Sequence, residues 1–270
     1  MTRRRMTQIF PWLLPLRRWQ RRFCFYAKMG WDGIPYATCR ERQELPYPLF
    51  ETSCPMYNRE TGFDMVYQEN KVFNLKLAAA TLDHLLIRPG ETFSFWRLVR
   101  YADRDTPYRD GLAEVDGKLT VQKGGGLCQL SNLLCWMFLH TPLTLTERHG
   151  HQVKDFPEPP SDAPLGVDAT VAEGWLDLRV RNDTEVTFQI AQAHITGRVY
   201  TARDLGLTYE AINENLVYYR QNGRVYEGVD VVQRAIDTSS GICVSTRRMY
   251  RNQCEIGYQL PAGTAVQEKG

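Results

Sequence analysis

From Asn70 to Ile87 the apolar residues Val72, Phe73, Leu75, Leu77, Ala78, Ala79, Leu82, Leu85 and Leu86 recur near helical spacing, and Pro89-Gly90 supplies a stop. This pattern predicts a helix. Thr92 to Val99 then alternates apolar and polar residues as a strand does, and a loop rich in Asp, Arg and Gly leads through a short hairpin around Asp116-Gly117. A second helix is predicted from Cys128 to His140. Leu143 to Val153 reads as extended, a Pro-rich loop follows at Pro157-Glu158-Pro159-Pro160, and Asp168 to Val171, Leu176 to Arg181 and Val186 to Ile190 read as antiparallel strands with one wet face. Asn182-Asp183 supplies a turn among them. Further short strands recur from Arg198 to Gln259 around Asn222-Gly223 and Ser239-Ser240-Gly241. Ile34 to Pro55, rich in proline and aromatic residues, has little periodicity and is expected to pack irregularly. The fold class implied is α+β: the cysteine-bearing helix packs on an antiparallel sheet, and a β-rich extension follows at the C-terminal end.

Composition adds a size and a polarity. The 270 residues, 43% hydrophobic and 24% charged, suffice for a sizeable core in one or two domains. Net charge is only +2, yet residues 1–31 hold Arg3, Arg4, Arg5, Arg17, Arg18, Arg21, Arg22 and Lys28 without an acid, which leaves the remainder at −6. Phe10, Trp12, Leu13, Leu14, Leu16, Trp19, Phe23 and Phe25 interleave with these cations. That mixture suits a peripheral membrane helix, with an arm folded onto the domain as the alternative. Pro11, Pro15 and the Arg pairs interrupt the only apolar candidate, so no run approaches the roughly 20 residues needed to span a bilayer. Trp12 to Leu16 is also too short for a signal peptide's apolar region and no cleavage pattern follows. The seven cysteines (24, 39, 54, 128, 135, 243 and 254) form no dense framework and suit reduced thiols. A cytoplasmic or membrane-peripheral location is therefore expected. Basic residues confined to an arm argue against nucleic acid as a partner.

Chemistry concentrates at Gly124-Gly125-Gly126-Leu127-Cys128-Gln129-Leu130-Ser131. Glycines permit positive φ and close backbone approach, while a helix start favours a thiolate. Cys128 is thus a candidate nucleophile, against the plainer reading of a small buried apolar residue. An imidazole to take its proton and a carboxylate to orient that imidazole would come from His149 or His151 and from Asp168, in the chain order of papain-like and transglutaminase-like enzymes. Asp168 has a rival reading as a turn residue capping a backbone N–H. Gly124, Gly125, Gly126, Gln129 and Ser131 would line the substrate site, with the Cys128 N–H and the Gln129 side chain as oxyanion donors. Arg148 would bind a substrate carboxylate or pair on the surface. Cys128, His149, His151 and Asp168 are permissible zinc ligands, but Cys-x-x-Cys and His-Glu-x-x-His spacings are absent, and no Gly-Lys-Ser/Thr follows the glycines. Neither a metal nor another cofactor is expected. Cys135, two helical turns after Cys128, is expected to pack rather than react.

Successive blocks carry a resemblance. Asn74-Leu75-Lys76-Leu77-Ala78-Ala79, Arg88-Pro89-Gly90-Glu91-Thr92-Phe93-Ser94-Phe95, Asp110-Gly111-Leu112, Gly117-Lys118-Leu119, the glycine–cysteine segment, and Gly166-Val167-Asp168-Ala169-Thr170-Val171 resemble, in order, the VanW domain. The flanks resemble the compact, stand-alone members. The resemblance implies a basic arm at 1–31, a VanW domain with its N-terminal extension at 32–197, and a β-rich region at 198–270. It further implies a bacterial role in vancomycin resistance and L,D-transpeptidase-type acyl transfer on peptidoglycan, with a stem peptide or precursor as partner. The family's Arg-x-x-His pattern matches Arg148 and His151, which favours His151 over His149. The alternative is a non-catalytic accessory protein that binds a precursor or a resistance enzyme at the membrane.

Overall fold

A computed structural model describes residues 11–54, 57, 62–115, 118–154, 163–192 and 196–269. A 3-10 turn, Pro11–Leu13, leads into helix α1 (Leu14–Trp31), with proline in its first turn where no N–H partner is lost. Strand β1 (Tyr47–Ser53) follows, then α2 (Val66–Ala80), β2 (Leu85–Ile87), β3 (Thr92–Ser94) and the short α3 (Phe95–Val99). Strands β4 (Asp110–Val115) and β5 (Lys118–Lys123) pair antiparallel and deliver the chain to α4 (Leu127–Leu139). The turn expected between them, Asp116-Gly117, lies outside the described residues, as does the Pro157–Pro160 loop. Short strands β6 (Thr144–Glu147), β7 (Val153–Lys154), β8 (Arg179–Arg181), β9 (Phe188–Gln192) and β10 (Thr196–Thr201) precede the long β11 (Leu207–Gln221), β12 (Arg224–Asp237) and β13 (Cys243–Ile256), and β14 (Val266–Glu268) ends the chain's regular structure.

The fold is α+β. One antiparallel sheet has the order β1-β10-β9-β2, a second β3-β8-β6, and a third β14-β11-β12-β13-β7, in which β14 and β7 join parallel to their neighbours. α4 carries mostly apolar residues and packs against α2 on one side and against β1 and β10 on another. Leu75, Leu82, Leu130, Leu134, Phe93 and Phe188 meet in a core that also takes Ala211 of β11 and Val231 of β12. Gln233 of β12 donates to the carbonyls of Leu139 and Thr141 at 2.7 and 2.9 Å, which ties the long sheet to the end of α4.

Several expected boundaries move. The first helix stops at Ala80, because His84 takes a φ of 57° and Leu85–Ile87 pairs with β9 instead. The expected strand from Thr92 to Val99 ends at Ser94. There Ser94 Oγ accepts from Arg97 N and donates to Asp177, whose other carboxylate oxygen accepts from Trp96 N at 3.1 Å, so a capped helix begins. β1 occupies a segment expected to be irregular. Asp168 to Val171 is extended without a sheet neighbour, since its backbone groups bond to α4 and to His149. At the C-terminal end the strands are long, not short, and they turn at Asn222-Gly223 and at Ser239–Gly241, with positive φ at Asn222, Gly223 and Gly241.

Candidate active site

The glycine triplet is shaped by its neighbours. A Cβ on Gly125 would sit 2.3 Å from the Gly111 carbonyl carbon, and one on Gly111 would sit 2.6 Å from the Gly125 oxygen, so β4 crosses the turn at backbone contact. Buried Asn74 of α2 stitches that crossing: its amide donates to the carbonyls of Arg109 and Gly125 at 2.9 and 3.1 Å and accepts from Arg109 N at 2.8 Å. Gly126, with φ at 97°, is the N-cap of α4 and carries the Lys71 stem directly over it. Burial pulls the Lys71 amine down to about 8, an effect the Cys54 sulfur's charge partly opposes. Gly124 packs on the Tyr108 ring. At each of the three glycines a Cβ would meet a neighbouring residue, so internal packing alone already favours glycine there.

Cys128 stands in the first turn of α4, half-buried, with its thiol 3.7 Å from the Val171 carbonyl. The extended segment 168–171 is fastened along this helix. Asn132 accepts from Ala169 N at 2.6 Å, and the fully buried Ser131 hydroxyl donates to the Ala169 carbonyl. Ser131 is thereby a clamp between helix and segment. The Gln129 amide donates to Cys54 at 3.5 Å, so it faces a second thiol. Burial raises the Cys54 thiol above its ordinary range, against the Gln129 hydrogen bond and the Lys71 charge.

The segment ends on Asp168, where the polar cluster closes. One Asp168 oxygen accepts from His151 N at 2.6 Å and bonds His151 Nδ1 at 2.7 Å; the other accepts from Arg148 at 2.8 Å. Asp168 therefore caps a backbone N–H and holds an imidazole at once. The Cys128 side chain also bears on the His151 ring and, with Asp168, favours its charged form. Burial of the ring opposes its charge, but the bonds to Asp168 and Cys128 overcome this and His151 is pushed up to about 10. Burial would likewise raise Asp168, yet the His151 bond and the Arg148 charge bring it down to about 2. Cys128, His151 and Asp168 thus come together. His149 does not join them: its Nε2 bonds Glu147 at 3.1 Å.

Arg148 is engaged elsewhere than expected. Its side chain is 8% exposed and that of Asp168 11%. Nε donates to the Asp168 carbonyl at 2.6 Å, Nη1 to Asn252 at 2.9 Å, and Nη2 to the Gly166 carbonyl and the Asp168 carboxylate, both at 2.8 Å. The guanidinium also lies 4.3 Å from the centre of the Tyr250 ring. It anchors Asp168 from behind. Cys135 is fully buried nearby, and burial pushes its thiol up to about 12. Asn132, Tyr250 and Asn252 brace the segment around Asp168, and Asn74 and Lys71 pack the glycine turn, without having been singled out in the sequence. Asn74 lies in a block already recognised, whereas Tyr250 and Asn252 lie about a hundred residues from Arg148 with no spacing to link them. Among the described residues no group of three or more His, Cys, Asp or Glu is arranged to hold a metal ion.

The structure is that of an α+β protein in which a helix-borne cysteine, a histidine and a buried aspartate share one site. Residues 70–203 match the family described as VanW like protein, and the chain belongs to the VanW family. It is 54% identical over 272 residues to the Vancomycin B-type resistance protein VanW of Enterococcus faecalis (strain ATCC 700802 / V583), covering 99% of both chains. It is 32% identical over 162 residues to the uncharacterized protein YoaR of Bacillus subtilis (strain 168), covering 58% of this chain and 52% of that one. No solved structure matches it.

Proposed function

We propose that this protein serves resistance to vancomycin-type glycopeptides as a cysteine-dependent acyltransferase of the L,D-transpeptidase kind, acting on peptidoglycan stem peptides. One observation supports the chemical part of this reading: His151 bonds Asp168 through Nδ1 at 2.7 Å, and its ring is under the influence of the Cys128 side chain. The name of the Enterococcus faecalis relative, which spans nearly the whole chain, supports the link to resistance.

In the proposed reaction the proton shared by Cys128 and His151 resides on the imidazole as Sγ attacks a stem-peptide carbonyl. A C–S bond forms, the C–N bond to the terminal D-amino acid breaks, and His151 protonates the departing amine. An amine of a second stem then attacks the thioester, His151 takes its proton, and Sγ leaves. Water in place of the amine would give hydrolysis. Asp168 keeps the ring oriented and Arg148 keeps Asp168 in place, which makes Arg148 a positioning residue. Such transfer would bypass the D-Ala-D-Ala donor that vancomycin covers.

The test is incubation of the purified protein with a muropeptide bearing a tetrapeptide stem, followed by intact mass measurement with Cys128→Ala as control. A discrete added mass in the wild type alone is expected. No adduct across several stem peptides would refute the catalytic reading and leave the accessory-binding one.

A further inference from the structure

Helix α1 presents two faces with different fates. One is docked: Met29 is buried, Phe25 and Tyr26 pack on the core, the Tyr26 hydroxyl donates to Glu173 at 2.9 Å, and Arg22 pairs with Glu173 at 3.0 Å. Arg21 lies 4.0 Å from the centre of the Trp175 ring. A Cβ on Gly174 would come within 3.1 Å of the Arg22 backbone nitrogen, so helix and turn meet at close range. The other face is exposed. Leu16, Trp19 and Phe23 are spaced three and four residues apart, which puts them on one line, and they are 61–62% exposed. Trp19 and Phe23 stack at 5.6 Å while open to solvent, and Trp31 at the helix end is also exposed.

Charge selects the occupant of this face. At 100° per residue, Arg17, Arg21 and Lys28 share the side of the helix away from the Leu16–Trp19–Phe23 line, so α1 sets a basic face against an apolar one. Residues 1–31 carry no acid at all. A protein partner would ordinarily be met with charges of both signs around an apolar centre. A bilayer asks instead for aromatics at the level of the headgroups and cations reaching anionic phosphates. Among the described residues no helix is long and apolar enough to cross a membrane, so the contact would be in the plane of the surface. We propose that the Leu16–Trp19–Phe23 face of α1 lies in the interface of an anionic lipid bilayer, with the docked face holding the rest of the protein against that surface. The turn that receives α1 begins directly after Val171, whose carbonyl faces the Cys128 thiol. Membrane seating therefore fixes the height of Cys128 above the lipid. The inference stands without the acyl-transfer reading, because it concerns binding alone.

It is tested by co-sedimenting the full chain with vesicles of phosphatidylglycerol and phosphatidylcholine, and with vesicles of phosphatidylcholine alone. The wild type should partition onto the anionic vesicles and come off with added salt. Arg17→Gln with Lys28→Gln should lower partitioning about 30-fold, at roughly 1 kcal/mol per cation near an anionic surface. Trp19→Ser with Phe23→Ser should lower it at least as much, with an unchanged thermal midpoint, since these side chains are exposed. Failure of the wild type to bind anionic vesicles, or equal binding by both double variants, would overturn the proposal. So would a wild-type dimer that the Trp19/Phe23 variant converts to monomer without any vesicle binding.

Discussion

Replacing Arg148 by Met probes the ring of residues behind Asp168 and requires no knowledge of a substrate. The guanidinium makes four hydrogen bonds, to the Asp168 carbonyl and carboxylate, the Gly166 carbonyl and the Asn252 amide oxygen, from a side chain only 8% exposed. Met keeps most of the stem packing but strips every donor, leaving a nearly buried carboxylate with His151 alone and two carbonyls without this partner. Breaking a buried pair from one side costs about 3–5 kcal/mol. At about 2 °C per kcal/mol for a chain of this size, the melting midpoint should fall by roughly 6–10 °C. The assay is urea unfolding of the wild type, Arg148→Met, Asp168→Asn and the double variant. The double variant should lose less than the sum of the singles, by roughly 0.5–3 kcal/mol of coupling. A loss under about 1 kcal/mol, the scale of an exposed ion pair, or strict additivity would refute the reasoning. The guanidinium would then be solvated and available to a ligand.

Gly125→Ala should prevent soluble folding or destabilise by several kcal/mol, since the new methyl would meet the Gly111 backbone at 2.3 Å, whereas Gly90→Ala, with open space but a φ of 78°, should cost only about 1–2 kcal/mol; equal losses in thermal melts would count against the crossing. His149→Ala, at a half-exposed ring paired with Glu147, should leave stability within about 0.5 kcal/mol and adduct formation intact, while His151→Ala should abolish the adduct. The pH dependence follows from two opposite shifts. His151 rises from 6.5 to about 10, so its contribution is full below about pH 6.5 and is lost as pH climbs through 10. Asp168 falls from 3.8 to about 2, so its contribution is present above about pH 4 and is lost as pH drops through 2. The stability gap between wild type and His151→Ala should therefore be widest near pH 4–6.5 and narrow by pH 10; a gap constant from pH 6 to 10 in urea titrations would contradict the ion pair.

The elements legible in the sequence are those whose local pattern agrees with their tertiary surroundings. α4 is one: positive-φ glycines end a hairpin and an apolar run begins at once. Leu85–Ile87 is the opposite case, because its apolar spacing continues the helix while the reversal at His84 has no marker in composition. β1 hides behind Pro46 and Pro48, residues that a strand tolerates at a sheet edge, which is where β1 lies. The length of β11 is masked by the irregularity between Glu214 and Val217, where Asn215 takes a φ of 52°. At the site, residues near one another in the chain could be grouped as candidates: Cys128 with its glycines, and Arg148, His149 and His151 with Asp168. Functions that depend on distant partners could not be seen. The guanidinium of Arg148 is spoken for by Asn252, and the Ser131 hydroxyl by Ala169, and neither pairing leaves a trace in spacing.

Arg148 also sets a limit on how portable this architecture is. The family match closes at residue 203, but the hydrogen bonds that steady Asp168 reach Asn252, the Tyr250 hydroxyl bonds the Gly166 carbonyl at 3.0 Å, and Lys154, just past His151, is paired with Glu227 at 2.8 Å. A fragment excised at the family boundary would keep Cys128, His151 and Asp168 and yet lose what braces them. Grafting or minimising this fold therefore means carrying the distal sheet along, as a buttress rather than an appendage.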